Sequence, residues 1–578
     1  MKMAEYLAPG VYVEEKSFRS KSIEGVGTST TAFAGPTRKG PIQGVPEVVT
    51  SFGEFVRMYG GLENLSFSAA DDGSPDVINY MAHAAQAFFN NGGKRLYIAR
   101  TFLARAGSDG IAFVQIADDG GGNSANFRAR VPGSGLNGTI TVYEKKTPAS
   151  TANMQKTPVG TLLCETAPDG GGGTTATYFL KNATGWADDG DTALGAGGAG
   201  ITRELVSVNL EAVDRDGTVL VYENLALGES HPRFIGNVLE ETPSKRAEAL
   251  ENPYYIDIEG TVDAFELLDG LLDGHSKRVL TLSGGNDGQE PANAAYRSAL
   301  NILGEVSDIA IVAAPGHSAF TDFQTIQGLL ISHAEKLKYR FAVLDPEENQ
   351  SLSAVRNGRS RIDSKYAALY YPWVVVSNPL ARPDDSSIKK EITLPPSGFI
   401  TGIYARTDVE RGVWKAPANE VVRGALRFER EITHGQQEVV NPEGINCLRF
   451  FFGRGNRVWG ARTISSDPEW KYVNVRRYFI YLEHSIDRST QWAVFEPNGP
   501  RLWANIRETV SAFLYNEWIE GALLGTDPEQ AYFVRCDRST MTQADLDNGR
   551  LICEIGVAVL KPAEFVIFRI GQKTADAE

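Results

Sequence analysis

A mixed α/β (α+β) multidomain chain is what this sequence predicts, on three observations. Its 578 residues exceed what one ordinary core accommodates, so about three or four domains are expected. Apolar content of 42% beside 22% charged residues belongs to a folded soluble protein. The local pattern also changes along the chain. Strands and a helix alternate, a glycine-rich all-β stretch follows, α/β alternation returns, and an aromatic-rich segment closes the sequence.

Residues 1–31 read as one short strand and a leash. In "APGVYVEE" the strand formers Val11, Tyr12 and Val13 follow a sharp Pro9-Gly10 start. The next stretch, "KSFRSKSIEGVGTSTT", offers no second strand; Ser17, Ser20, Ser22, Gly25 and Gly27 make it a pliant tether. Residues 32–105 place "TAFAGPT" and "RLYIART" as strands. Between them "DVINYMAHAAQAFFNNGG" is an amphipathic helix with Asp76 as N-cap and Gly92 as stop.

Residues 106–250 hold 22 of the 59 glycines, and their 11 basic against 18 acidic residues make them acidic. Alternating segments such as "GTITVYEKK" and "TVLVYENLAL" between glycine loops predict an all-β inserted domain. Residues 251–400 return to α/β: "KRVLTLSGGNDG" is a strand into a loop, "DIAIVAAPGHS" a buried strand, "FTDFQTIQGLLISHAEKL" a helix and "RFAVLDP" a strand. Residues 401–578 carry six of the eight tryptophans. Their clearest helix starts near Pro500, runs an apolar stripe through Leu502, Ile506, Val510, Phe513 and Trp518, and stops at Gly525. Two strand-like runs, Leu551–Leu560 and Glu564–Ile570, flank Pro562.

Charge narrows the function classes. The net charge is −15, and residues 1–400 carry most of it, with 35 basic against 48 acidic side chains. That balance argues against a nucleic-acid or anionic-membrane surface. Cys164, Cys447, Cys536 and Cys553 lie far apart in sequence with no C-x-x-C pair, so free buried thiols are expected. The opening "MKMAEYLAPG" has no signal-peptide h-region, and no apolar run approaches a bilayer span, which points to synthesis in a reducing cytoplasm.

Chemical motifs are few. Two G-x-G-x-x-G matches, at Gly133, Gly135, Gly138 and at Gly195, Gly197, Gly200, are followed by strand-like segments, whereas a dinucleotide loop opens a helix. "AIVAAPGHSAF" resembles a hydrolase elbow around Ser318, but Phe320 follows Ala319 where the second glycine belongs. Ser318 as a helix N-cap is the simpler reading, and Asp345 before Pro346 is equally a turn residue. "GGNDG", Gly284–Gly288, reads as a tight turn rather than an anion site. No metal-ligand spacing occurs. No catalytic, cofactor-binding or metal-binding residue is assigned, and no cofactor is implied.

The ends of the chain are the informative part. Val11–Val13 has no local partner, and Phe565, Val566, Ile567, Phe568, Arg569 and Ile570 form an apolar strand at the other end. Such edges aggregate unless covered, and both are satisfied if each completes a sheet in another subunit. The motifs here become recognisable. "YLAPGVYVEE", "LSGGNDG", "TGIYARTDVERGVWKAPANE", the run from "NPEGINCLRFFFGRGNRVWG" to "YLEHSI", "WAVFEPNGPRLW", "EQAYFVRCD" and "VLKPAEFVIFRI" occur in order. Through them the chain resembles the contractile tail sheath proteins of bacteriophages and related contractile injection particles, over roughly residues 1–105 and 251–578.

The resemblance implies stacked hexameric rings, or an equivalent helix, around an inner tube. Terminal arms would be exchanged between neighbours, making Val11–Val13 and Phe565–Ile570 the knitting strands. It implies a sheath C-terminal domain at 401–578, and the insert 106–250 on the outer surface. Its partners would be further copies of itself, an inner tube protein, and baseplate and terminator or cap proteins, with no nucleic acid and no membrane in the resting state. Assembly in the bacterial cytoplasm into a phage tail or injection particle follows. Contraction would reorient subunits while the joints hold, with Lys16–Thr30, about 50 Å when drawn out, taking up the displacement. The polar face of the Arg501–Leu524 helix, with Arg501, Arg507 and Glu508, is the expected tube contact. The rival readings are a cytoplasmic α/β hydrolase using Ser318, and another component of the same particle.

Overall fold

The computed structural model describes residues 22–67, 76–118, 123–169 and 172–569. The expected strand Val11–Val13, the tether residues Ser17 and Ser20, and Ile570 lie outside the described residues. The chain divides into two compact units: Thr28–Glu410 with Ala416–Val473, and Met1–Gly27 with Arg411–Lys415 and Asn474–Glu578.

The larger unit is built on an eight-stranded sheet. Its order is Val48–Val49, Leu96–Arg100, Thr31–Gly35, Ile311–Ala313, Phe341–Leu344, Ala367–Tyr371, Ile445–Phe451 and Gly455–Val458. The six central strands run parallel, and the two outermost pair antiparallel. Parallel strands need cover on both faces, which is why "TAFAG" and "FAVL" are, but for Thr31, without polar side chains and are wholly buried. On one face Ala32 and Ala34 pack with Tyr296, Ala299 and Leu330 from the helices Asn293–Gly304 and Phe323–Leu337. On the other, Phe33 meets Phe88 of helix Tyr80–Asn90 edge-on, and the Tyr370 hydroxyl meets that of Tyr404, 2.7 Å away on helix Ser397–Arg411. The result is a doubly wound α/β layer.

Helix Tyr80–Asn90 starts later than the sequence suggests. Asn79, not Asp76, caps it: its side chain accepts from the Ala82 amide at 3.2 Å and donates to the Gly61 carbonyl, and the chain turns inward only at this buried residue.

The excursion between Leu96–Arg100 and Ile311–Ala313 contains the β-rich region. A seven-stranded antiparallel sheet runs Lys277–Leu282, Gly138–Pro148, Thr202–Asp214, Leu162–Pro168, Thr174–Lys181, Trp186–Ala187, with Val219–Leu225 also on Thr202–Asp214. A three-stranded sheet joins Tyr254–Glu259, Ser124–Ala129 and Phe113–Asp118. Pairing therefore continues past residue 250, because Tyr254–Glu259 and Lys277–Leu282 are strands of these sheets rather than of the α/β layer. Short helices, including Thr151–Lys156 and Ala264–Leu272, interrupt the β pattern.

The smaller unit holds helices Val473–Thr490 and Pro500–Ile519 and a hairpin of Tyr532–Arg535 with Glu554–Val557. Leu502, Ile506, Val510 and Phe513 are buried, and Trp518 packs against them half-buried, as the stripe requires. The helix ends at Ile519, short of Gly525, because Gly521 at φ +81° turns the chain and buries Ala522. Apart from Arg411–Lys415, residues 401–473 thus belong to the α/β unit, and the main C-terminal part of the smaller unit begins at Asn474 rather than at 401.

Candidate assembly surfaces

The described end of the expected tether is held down. Ile23 is buried in the core of the smaller unit with Tyr478, Leu482 and Leu502. The Val26 amide donates to Ser485 Oγ at 3.1 Å. Gly25 lies against Tyr481 so closely that a Cβ there would sit 2.3 Å from its hydroxyl oxygen. That hydroxyl is itself fixed. Tyr481 donates to Glu517 Oε1 at 2.8 Å and Tyr478 to Oε2 at 3.1 Å, and burial holds the Glu517 carboxyl above its ordinary range. Among the tether residues, Gly25 therefore belongs to a packed clip, which corrects the expectation of a leash pliant up to Thr30. Thr30 is itself buried.

At the other end the described chain finishes on exposed apolar side chains. Strand Glu554–Val557 pairs with Tyr532–Arg535, Leu524 donates to the Ala558 carbonyl, and Asn474 Nδ2 donates to the Leu560 carbonyl. Beyond it, residues 561–569 carry no regular secondary structure. Phe565, Val566, Ile567 and Phe568 are 71%, 68%, 79% and 84% exposed, and Arg569 is exposed as well. Four consecutive large apolar side chains in water cost on the order of several kcal/mol of forgone burial. The hairpin is equally unfinished. Neither of its strands has a second strand beside it among the described residues, and two strands alone are marginal.

The hairpin was not foreseen from the sequence. Its strands, "YFVR" and "EIGV", are short, and 18 residues separate them, so no tight-turn signal marks the pair. Ile23 was missed as well, a single apolar residue in a polar stretch whose burial only the tertiary structure shows.

The expected tube-facing residues divide. Arg501 and Glu508 are exposed, whereas Arg507 is half-buried, and its charge acts on Cys536 and Asp537 of its own unit.

The residues around Ser318 do not assemble into a catalytic pair. Ser318 lies in the turn His317–Ala319 and is buried, its Oγ without a hydrogen-bond partner. His317 Nδ1 faces the Ala314 carbonyl at 2.7 Å, its Nε2 has no partner, and burial lowers its pKa to about 4. Ser318 is not an N-cap either: the following helix, Phe323–Leu337, starts after Asp322. Asp345 instead holds the start of helix Ser397–Arg411, accepting from the Ser397 amide at 2.8 Å and its hydroxyl at 2.6 Å. The "GGNDG" segment is a turn: Asp287 accepts from the Ser66 and Ser134 amides, and Asn137 exchanges hydrogen bonds with Gly285. Both glycine-rich matches lead into strands, Gly138–Pro148 and Thr202–Asp214. Among the described residues no group of three His, Cys, Asp or Glu side chains is arranged to hold a metal ion, and no helix is long and apolar enough to cross a membrane.

Comparison with known proteins places these surfaces in context. Residues 289–464 match the phage tail sheath protein central domain, and residues 465–573 the phage tail sheath C-terminal domain. A prophage major tail sheath protein of Pseudomonas aeruginosa (strain UCBPP-PA14) is 27% identical over 266 residues, 45% of this chain and 64% of that protein. The tail sheath protein of Enterobacteria phage T4 is 24% identical over 177 residues, 30% of this chain and 26% of that one. The alignments thus span less than two thirds of these relatives. Among solved structures, the sheath of an extracellular contractile injection system (PVC) in the contracted state is similar in fold, with TM-score 0.54, 19% identity and 99% of each chain covered. The contracted helical sheath of the anti-feeding prophage is also similar, with TM-score 0.53, 22% identity, and 99% of this chain and 100% of that chain covered.

Proposed function

The chain belongs to the phage tail sheath family through residues 289–573, and from that membership we propose that it polymerises around an inner tube and contracts to drive the tube through a target envelope. It is a structural sheath subunit. The observation that carries the assembly reading is the exposed run Phe565–Phe568, following a two-stranded hairpin that has no outer neighbour strand among the described residues. In a polymer, the run from one copy would lie beside the hairpin of the next. Val11–Val13 would add a further strand, so that each sheet is completed by two exchanged arms. Each backbone hydrogen bond contributes a net ~1 kcal/mol, modest singly and large when every subunit makes several joints at once.

The clip at Ile23, Gly25 and Val26 gives the N-terminal arm a fixed point of departure. The extensible part of the leash then lies before Ser22, and subunit reorientation would be taken up there and in the residues after Leu560. A tube protein, baseplate and terminator or cap proteins would be the partners, with Arg501 and Glu508 as the tube-facing charges. Assembly would take place in the bacterial cytoplasm, into a phage tail or injection particle. The β-rich domain, which precedes the matched residues 289–573, would decorate the outside.

Negative-stain microscopy of the purified protein tests the reading. Helical tubes or stacked rings are the expected result. A protein that stays monomeric at high concentration, in the presence of its tube partner as well, would overturn it.

A further inference from the structure

Two of the four cysteines, distant in sequence, are brought together at the hairpin base. Arg535 and Glu554 form the last registered pair of the hairpin, so Cys536 and Cys553 are the residues that flank that pair just beyond the two strands. Alternation along antiparallel strands sends both side chains to one face, the face that carries Tyr532, Val534 and Val557 into the core. Opposed residues in an antiparallel pair have Cα atoms about 4.5–5.5 Å apart, inside the range a disulfide requires. Each thiol also acts electrostatically on the other. Cys536 is buried and Cys553 is partly open to solvent, and both are free thiols. Cys164 and Cys447 are buried in other core clusters.

We propose that Cys536 and Cys553 are a redox modification site, an oxidisable pair that closes to an intramolecular disulfide under a disulfide oxidant of the glutathione class. The Cys553 thiolate, on the accessible side, attacks the oxidant's S–S bond and expels one glutathione thiolate. The Cys536 thiolate then attacks the Cys553 sulfur of the mixed disulfide and expels the second. The two protein protons pass to the two departing thiolates, so one disulfide is reduced as one is formed. The bond staples the sixteen-residue segment 537–552 at its root, leaving the hairpin register unchanged. Burial raises both thiol pKa values, that of Cys553 to about 12, so closure is slow at neutral pH and speeds up as pH rises. A chain made in reducing surroundings would carry the open pair, and one exposed to oxidant the closed pair.

The test is to incubate the full-length protein with glutathione disulfide at pH 8, denature it, alkylate it and map the tryptic peptides without reductant. Cleavage at Arg538 and Arg550 separates the two cysteines, so a linked peptide pair that reductant releases is the expected result. Cys164 and Cys447 should remain fully alkylated, and Cys553→Ser should abolish the link while leaving the protein folded by circular dichroism. Alkylation of both Cys536 and Cys553 after oxidation, or a glutathione adduct that stays on Cys553, would overturn the proposal. Because the mapping is done on unassembled protein, its outcome does not depend on whether the chain forms a sheath.

Discussion

Lys39 and Asp214 form a buried ion pair between the loop after the central strand Thr31–Gly35 and the end of strand Thr202–Asp214 in the β-rich region; their side chains are 4% and 3% exposed. Beside them Arg38 Nε donates to Asp216 Oδ1 at 2.9 Å. The backbones close up at the same place. Gly133, at φ +146°, lets the chain pass so near the Arg38 carbonyl that a Cβ would sit 2.1 Å from its oxygen. The β-rich domain is therefore attached to the α/β layer by desolvated charge and close backbone contact. Lys39→Ala should leave Asp214 buried and unpaired, costing about 3–5 kcal/mol at this seam. Thermal unfolding and limited proteolysis between residues 106 and 290 check it. Lys39→Met with Asp214→Leu should recover most of the loss.

Gly25→Val should unseat the N-terminal clip without unfolding the unit it rests on. The Tyr481 hydroxyl cannot retreat, because it and Tyr478 share the buried Glu517 carboxylate. The valine variant is expected to stay folded but melt a few degrees lower, since releasing Ile23 forfeits about 2 kcal/mol of burial. It should polymerise poorly, because the arm no longer departs from a fixed point. Sedimentation of assembled material reads the effect, with circular dichroism as the folding control. Wild-type assembly in this variant would remove the clip's assigned role.

How much of this was legible beforehand follows from where the determining forces act. The parallel strands were readable because "TAFAG" and "FAVL" are short, largely apolar and followed by turn residues, and the Leu502–Phe513 stripe because helical spacing is local. The helix end at Ile519 was not, since Gly525 and Gly521 are both plausible stops and the burial of Ala522 decides between them. The extent of the β-rich domain was hidden for a similar reason. Strands Tyr254–Glu259 and Lys277–Leu282 look like α/β strands locally, and only their partners at Ser124–Ala129 and Gly138–Pro148 assign them. The Cys536–Cys553 proximity is likewise a long-range fact, invisible to spacing. The apolar character of the C-terminal run was legible in its own side chains, but the strand expected over Glu564–Ile570 is not formed at 561–569, where no partner strand pairs with it among the described residues.

Ile567→Pro should block sheath formation while leaving the monomer's fold intact. The residue is 79% exposed in the single chain, so proline removes nothing the monomer uses. It does delete an amide that strand addition would need. Polymer yield in negative stain should fall at least tenfold with an unchanged melting curve. Val11→Pro should act in the same way at the other arm. Sheaths of normal length from both variants would count against strand exchange.

A pH dependence follows from Asp345. Its carboxyl is fully enclosed, and burial pushes its pKa up to about 7, despite hydrogen bonds from Ser397 and the Gly316 amide that favour the charged form. In the unfolded chain it titrates near the ordinary 3.8. Between pH 4 and 7 the folded state therefore binds more protons than the unfolded one, so this group makes stability fall as pH rises through that window and level off above it. The roughly three-unit difference sets an upper bound of about 4 kcal/mol. Asp345→Asn keeps an acceptor for the Ser397 amide, can turn its NH₂ to donate to the Ser397 hydroxyl, and carries no ionisable group. The variant should be more stable than wild type at pH 8.5 and lose that advantage at pH 5. Thermal unfolding of both proteins across pH 5–8.5 measures the crossover. Parallel curves would mean that Asp345 stays charged in the folded chain, with its hydrogen bonds outweighing its burial.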